Sequence, residues 1–522
     1  MFTNPHTESK SDLKVFSLVA TFAFVALAAA GLTVSGGCGF YAGGDIGVTP
    51  GGQEDIAAAR QEIAEGGIAD PDAITVEGFL SEHTIPVEAP ADADLLYATA
   101  SVAWNHDFDA FTPLATVQIG LGTTLDINEF QRPDLNLTLL IDRSGSMDEF
   151  IDERTQTTKL DAVRIAVDRI LARLTADDRV SVVTFNTRSR VDLENAVGTD
   201  LAAVKTVVAG IAPDGGSDLA VGLRRAFEVI RDHSSANRSD RIILFTDAEL
   251  RRRADQHVQA FLDNMERYAQ DNIGTTVFAV GSNVGHEIAY DISQIRGGNY
   301  FFLGTYDRIV KVIDDEFDYL VTPIAYDISA RISVPFEFDV TEVHGIAAEP
   351  PFLNQLDLKV PTLFLSSRQG GGAIFVRIRP GALVDFTQEY DLAQINLSYE
   401  TPDGRRLSHP RVTAVLPPDL DPDAESGYFE TPNTQRGVLL LNTALLMKSA
   451  CADIYRSYDG YYGYYYGSRD DFDLAIARLS EFLPYFDSLA DGLEDRLAPN
   501  SRSLSEERAL LAQLLANLRE IQ

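Results

Sequence analysis

Asp142-Arg143-Ser144-Gly145-Ser146 puts a carboxylate and two hydroxyls on one tight turn, directly after the apolar run 135–141. Hard oxygen donors converging on one point select Mg²⁺, Ca²⁺ or Mn²⁺ over softer metals. Two further segments offer the same chemistry. Gly215-Gly216-Ser217-Asp218 precedes the helical run 219–230, so its glycines permit close approach and Ser217 faces the same edge. The apolar run 242–245 ends in Thr246-Asp247. A short Asp/Ser loop alone means little. Three in order, each at the end of a strand or the start of a helix, make Asp142, Ser144, Ser146, Ser217 and Asp247 candidate ligands of one divalent cation.

Other chemistries find less support. Asp148, Glu149 and Asp152 could hold a second cation, against the simpler reading of a solvated acidic loop. His286-Glu287 begins like a zinc-protease helix, but Tyr290 stands where the second histidine belongs. No Gly-rich loop ends in Gly-Lys-Ser/Thr, and no Gly-x-Ser-x-Gly elbow occurs. A metal-assisted hydrolase would use an open coordination position, but no general base of suitable placement is evident.

The elements that must position these residues alternate. Strand-like runs cover 135–141, 180–185, 242–245, 276–280 and 300–303, with amphipathic helices between them. Val258, Phe261, Leu262 and Met265 share one helical face, as do Ile309, Ile313, Phe317 and Leu320. Thr158 with Asp161 caps the helix that runs to Leu174. Apolar strands alternating with helices predict a largely parallel sheet covered on both faces, which binds ligands at the carboxyl ends of its strands.

These residues closely resemble the von Willebrand factor type A (VWA) domain and its metal-ion-dependent adhesion site (MIDAS). The resemblance implies that Ser144, Ser146 and Ser217 bind the metal directly, while Asp142 and Asp247 hold it mainly through water. One coordination position is then open to a partner's carboxylate. Ser217 stands where the family has Thr, which keeps the hydroxyl but loses a methyl that fixes its rotamer. Ala248 replaces the glycine that follows the second Asp. A wider resemblance, to the YfbK-like family of bacterial envelope proteins, spans roughly residues 55–415. It is carried by Ala59-Arg60, Gly66-Gly67-Ile68, Asp72-Ala73-Ile74-Thr75-Val76-Glu77, Pro133-Asp134-Leu135-Asn136-Leu137 and Ile324-Ala325-Tyr326-Asp327. Gly78 and Ser81-Glu82-His83 depart from that pattern.

On either side of the α/β segment the grammar is β. Residues 74–124 read as short strands, including 99–104 and 114–119, with Trp104 packed on a strand. Beyond Thr322, residues 328–334, 373–378 and 395–399 are strand-like, and Pro402-Asp403-Gly404 is a hairpin turn. The end is helical: 438–454, a helix near 472–489 interrupted by Pro484, and 504–521 with Ser503 and Glu506 as a capping box. The Tyr/Gly run 455–467 reads as a low-complexity loop.

At 522 residues the chain is too long for one core. Composition is globular, at 45% hydrophobic and 23% charged. A net charge of −35 argues against a nucleic-acid partner. The apolar run 15–34 follows Lys10 and Lys14 and precedes Cys38, a secretion signal or membrane anchor. Val34-Ser35-Gly36-Gly37-Cys38 resembles the bacterial lipobox, which implies lipidation of Cys38. With Cys38 so used, Cys451 has no disulfide partner.

The expected layout is a signal or anchor (1–38), a flexible tether (39–55) and a helix with sandwich strands (56–134). A doubly wound VWA domain follows (135–322), inserted in a β-sandwich that residues 323–417 complete. A linker (418–434) leads to a C-terminal helical domain (435–522). The expected protein is not an enzyme. It is membrane-attached in the bacterial cell envelope, outside the cytoplasm, and binds a protein partner through an acidic side chain. The competing expectation is a structural or assembly factor of the envelope whose metal only stabilises the fold.

Overall fold

The computed structural model describes residues 44–45 and 56–522, apart from 92, 107–111, 127–128, 153–155, 249–255, 282–285, 304–305, 347, 349, 351, 366–371, 425, 458–463 and 499–500. The apolar run 15–34, Cys38 and nearly all of the tether therefore lie outside the described residues.

Two short helices come first, α1 (Ala57–Ala64) and α2 (Val76–Ser81), the second capped by the Thr75 side chain, which accepts the Gly78 N–H at 3.1 Å. Residues 74–83 were expected to be extended. The cap and the buried side chains of Val76, Phe79 and Leu80 on α2 favour the helical turn instead. Long antiparallel strands β1 (Leu96–His106) and β2 (Pro113–Thr123) follow and pair along their whole length.

The α/β segment comprises β3 (Leu135–Asp142), α3 (Lys159–Leu171), β4 (Arg179–Phe185), β5 (Ser189–Val197), α4 (Leu201–Ala209), α5 (Leu219–Asp232) and β6 (Ser239–Thr246). It continues with α6 (Gln256–Ala269), β7 (Gly274–Val280), α7 (His286–Ser293), β8 (Gly298–Leu303) and α8 (Tyr306–Leu320). Its 6-stranded sheet has the order β8-β7-β6-β3-β4-β5, parallel except for the edge strand β5. β5 escapes a periodicity reading because none of its side chains is fully buried. The central β3 is buried at every position because helices cover both faces. Leu137, Leu139 and Ile141 enter one core and Leu140 the other. Where the chain enters the domain, Arg132 makes a bidentate pair with buried Asp178 at 2.7 and 2.9 Å and reaches Asp318 of α8 at 3.0 Å. That ties the domain's first strand to its last helix.

The chain then forms β9 (Pro323–Ser333), β10 (Phe338–His344), β11 (Gln355–Phe364), β12 (Ala373–Pro380), β13 (Tyr390–Glu400), β14 (Arg406–Ser408), β15 (Val412–Leu416) and β16 (Tyr428–Phe429). One antiparallel sheet has the order β10-β12-β2-β1-β16, so strands from both sides of the α/β segment share it. A second has the order β11-β9-β13-β14, with β15 also on β13. The two sheets bury one core between them: Val102, Trp104, Val117 and Val376 from the first, Ile332, Leu358, Ile395 and Leu397 from the second. Residues 418–434 were expected to be a linker. Instead β16 pairs with β1 at Ala103 and Trp104, and the Trp104 indole donates to Pro422 O at 3.1 Å.

The last helices are α9 (Pro432–Ile454), α10 (Arg469–Ala490) and α11 (Leu504–Ile521). α10 runs through Pro484 without a break, because Phe482, Leu483, Phe486 and Leu489 on both sides of it are held in one core. Thr158–Asp161 and Ser503–Glu506 form the expected capping boxes. Ile56, Ile63, Ile74 and Phe79 pack with Leu440, Phe482 and Leu511, so the amino-terminal helices join the carboxyl-terminal helical core rather than the strands that follow them. Phe375 of β12 enters this core while its neighbours Ile374 and Val376 enter the sandwich. The first sheet is thus covered on both faces. α9 is long and apolar enough to cross a membrane, but 72% of its apolar window is buried in the protein, as in a core helix. Cys451 lies in that core, where burial pushes its thiol up to about 12. Short strands Tyr455–Ser457 and Tyr464–Tyr466 pair at the base of the Tyr/Gly run, whose centre lies outside the described residues.

Candidate metal centre

The carboxyl ends of β3 and β6 lie side by side, because Ile141 pairs with Phe245 in the parallel ladder. Asp142 therefore emerges next to Thr246 and Asp247. On the other side of β3, the Arg143 N–H bonds to Phe185 O at 2.8 Å and fixes the turn against β4. Gly145 N–H then bonds to Gly215 O at 2.8 Å, which draws the Ser217 loop over the site. Asn186 holds that loop: its amide donates to Asp214 O at 2.9 Å, and its backbone carbonyl accepts from Asp218 N–H at 2.9 Å. Gly215 takes φ +75°, a left-handed conformation that costs a side-chain-bearing residue energy.

All five sequence-derived residues come together. The Ser144 N–H bonds to Asp142 Oδ1 at 2.8 Å, and Ser217 Oγ donates to Asp142 Oδ2 at 2.9 Å. Ser144 Oγ and Ser146 Oγ are 3.2 Å apart, and Ser146 Oγ donates to Asp247 Oδ1 at 2.9 Å. Asp142 and Ser144 are buried, whereas Ser146 and Ser217 are exposed, so the cluster opens to solvent on one side. Burial pushes the Asp142 carboxyl above its ordinary range, and hydrogen bonds from Thr246, Ser144 and Ser217 recover only part of that rise.

The donor set fits a small hard dication. Oxygens at about 2.1 Å from Mg²⁺ in octahedral geometry stand about 3.0 Å from their neighbours. The hydroxyl and carboxylate oxygens here are separated by 2.9–3.2 Å. Among the described residues no group of three or more His, Cys, Asp or Glu could hold a metal. A cation held among the described residues would therefore have to draw on hydroxyls as well.

Sequence reading missed two participants. Thr246 Oγ1 donates to Asp142 Oδ2 at 2.7 Å and accepts the Ala248 N–H at 3.0 Å, so it orients the first carboxylate. Lys159 Nζ lies 2.7 Å from both Asp247 Oδ2 and Glu149 Oε2. Glu149, read as a partner for a second cation, is thus occupied by an ammonium; Asp148 is exposed, and the Asp152 side chain lies outside the description.

Residues 137–249 match the family model of the von Willebrand factor type A domain. The "Uncharacterized protein YfbK" of Escherichia coli (strain K12) is 25% identical over 307 residues, covering 56% of this chain and 50% of that protein. The chain thus spans about half the length of this relative. Inter-alpha-trypsin inhibitor heavy chain H2 of Sus scrofa is 29% identical over 164 residues, covering 30% of this chain and 16% of that one. A solved structure titled "von Willebrand factor type A from Catenulispora acidiphila" covers 82% of this chain and 98% of its own, at 14% identity and a TM-score of 0.42. The chain carries a VWA domain and is related to YfbK-like bacterial proteins.

Proposed function

We propose that this chain, through its VWA domain, binds a protein partner by a divalent metal held at Asp142, Ser144, Ser146, Ser217 and Asp247. Mg²⁺ is the first candidate, with Mn²⁺ and Ca²⁺ as alternatives. The observation that carries this is the contact of Ser146 Oγ with Asp247 Oδ1 at 2.9 Å. It joins the first and third of three separate loops whose oxygens cluster here, with the exposed hydroxyls of Ser146 and Ser217 on the open side. Three neutral hydroxyls among the five donors keep excess negative charge from building up around a bound dication, so an acidic side chain of the partner completes the shell through a charge-assisted contact. The role is adhesive rather than catalytic.

The pairing of β2 with β12 supports reading the VWA domain as an insertion in a β-sandwich. Its joint with the sandwich involves Arg241, at the amino end of β6, over the Phe364 ring, and the Gly297 N–H on Thr362 Oγ1 at 2.6 Å. The oxygen cluster sits at the opposite end of the strands from that joint. The apolar run 15–34 and Cys38 support attachment to a bacterial membrane with the domain outside the cytoplasm.

Calorimetric titration of Mg²⁺ and Mn²⁺ into the native chain and Asp142→Ala tests the metal. The native chain binds one ion and the variant none. Capture of a partner from envelope extract, lost on adding chelator, tests the adhesion. Equal metal binding by both chains would put the site elsewhere, and capture indifferent to chelator would remove the mechanism.

A further inference from the structure

Lys159 is the first residue of α3, where a cation opposes the helix dipole and needs a reason to be there. Its ammonium bridges Asp247 Oδ2 and Glu149 Oε2, both at 2.7 Å. The Lys159 and Asp247 side chains are 14% and 3% exposed, so water screens this pair weakly. The lysine stem runs past Gly281, just beyond the end of β7. A Cβ at Gly281 would come within 3.1 Å of Lys159 Cε, so the bare backbone there leaves the stem its channel. Asp247 meanwhile gives its other oxygen to Ser146 at 2.9 Å. One carboxylate is shared between the oxygen cluster and a resident cation.

We propose that Lys159 is the built-in counter-cation of the metal centre, which limits how tightly a dication is held and so leaves it able to attract a carboxylate. The inference rests on the metal reading above. Asp142, Asp247 and Glu149 bring three negative charges, and Lys159 cancels one of them. The remaining pair matches a dication, which then presents no excess negative field to an incoming acid. Without the ammonium the site holds the dication more strongly and repels the partner's carboxylate. The ammonium also occupies Glu149, the carboxylate that a second cation would require.

The test is calorimetric titration of Mn²⁺ into the full chain, Lys159→Met, Lys159→Arg and Asp142→Ala, with thermal melting to confirm that each variant folds. Lys159→Met binds Mn²⁺ at least about tenfold tighter than the native chain, because an unscreened like charge has left. Lys159→Arg keeps the charge and stays near the native value. Should Lys159→Met fail to fold, Lys159→Gln is judged by the same criterion. Native binding with no tightening in the neutral variant overturns the proposal and leaves the metal reading standing. Binding by neither chain overturns both. Binding by the neutral variant alone supports Lys159 as resident cation and overturns the metal reading for the native chain.

Discussion

Thr246 and Asp142, 104 positions apart, share a buried hydrogen bond in which Thr246 Oγ1 donates to Asp142 Oδ2 at 2.7 Å. The same hydroxyl accepts the Ala248 N–H at 3.0 Å, so it ties the two acidic loops into one unit. Thr246→Val keeps the shape and deletes both bonds. Leaving a buried carboxylate short of a donor costs about 1–3 kcal/mol. Chemical denaturation reads that loss, and Mn²⁺ titration shows weaker binding because Asp142 is no longer aimed. Unchanged metal affinity would mean that Ser144 and Ser217 suffice to orient it.

Ser217 Oγ reaches Asp142 Oδ2 at 2.9 Å from an exposed loop. Ser217→Thr adds a methyl that restricts χ1. Metal affinity holds or tightens by up to about threefold, the scale of a partial rotamer restriction. A tenfold loss on titration would show that the loop has no room for the methyl.

The clustering of these oxygens was legible because they stand where apolar runs stop, and a run buried on both faces has to end at a sheet edge. Lys159 was not. In sequence it is one polar residue between the cap Thr158 and the core residue Leu160, and its partner Asp247 lies 88 positions away. A cation on the first turn of a helix was the available signal, since it opposes the dipole unless a carboxylate meets it. The folding of residues 56–83 onto the carboxyl-terminal helices was invisible for a related reason. Ile63 and Phe79 are apolar, which does not say what buries them. Edge elements such as β5 and β14 carry too few buried positions to set a period.

Glu342 connects acid stability to the sandwich. Burial alone would raise its carboxyl, but His344 Nε2 at 2.8 Å and the Arg377 guanidinium at 2.8 Å hold it down at about 2. A depressed folded-state value stabilises above the unfolded carboxyl range, near 4.5, and that contribution is lost as pH falls towards about 2. With 34% of the side chain exposed, screening reduces the effect to about 1–2 kcal/mol. Glu342→Gln is therefore less stable than the native chain at neutral pH, and the gap closes on acidification between those limits. Urea denaturation across pH checks it. A gap that persists at pH 2 would assign the loss to packing.

Arg60 of α1 and Glu507 of α11 join the two ends of the described chain. The guanidinium meets both carboxylate oxygens at 2.8 and 2.9 Å, and its Nε donates to Glu82 at 2.8 Å. Burial alone would raise the Glu507 carboxyl, but His83 and Arg60 hold it below the ordinary range. The Glu507 side chain is 0% exposed, and its removal leaves the largely buried guanidinium with Glu82 as its remaining carboxylate. Glu507→Ala should cost about 1–3 kcal/mol, the range for leaving buried donors unsatisfied, because Glu82 still balances the charge. The loss falls on the helical core, because Ile56, Ile63 and Phe79 are held against Leu511 and Leu514 there. Hydrogen exchange then rises in α1, α2 and α11 while the VWA strands stay protected. Replacing both partners by apolar residues, Arg60→Met with Glu507→Leu, recovers much of the stability, since no charge is left buried alone and Glu82 keeps Arg502 at 2.9 Å. A double variant as unstable as Glu507→Ala would show that the pair itself, rather than the unsatisfied guanidinium, holds the amino-terminal helices in place.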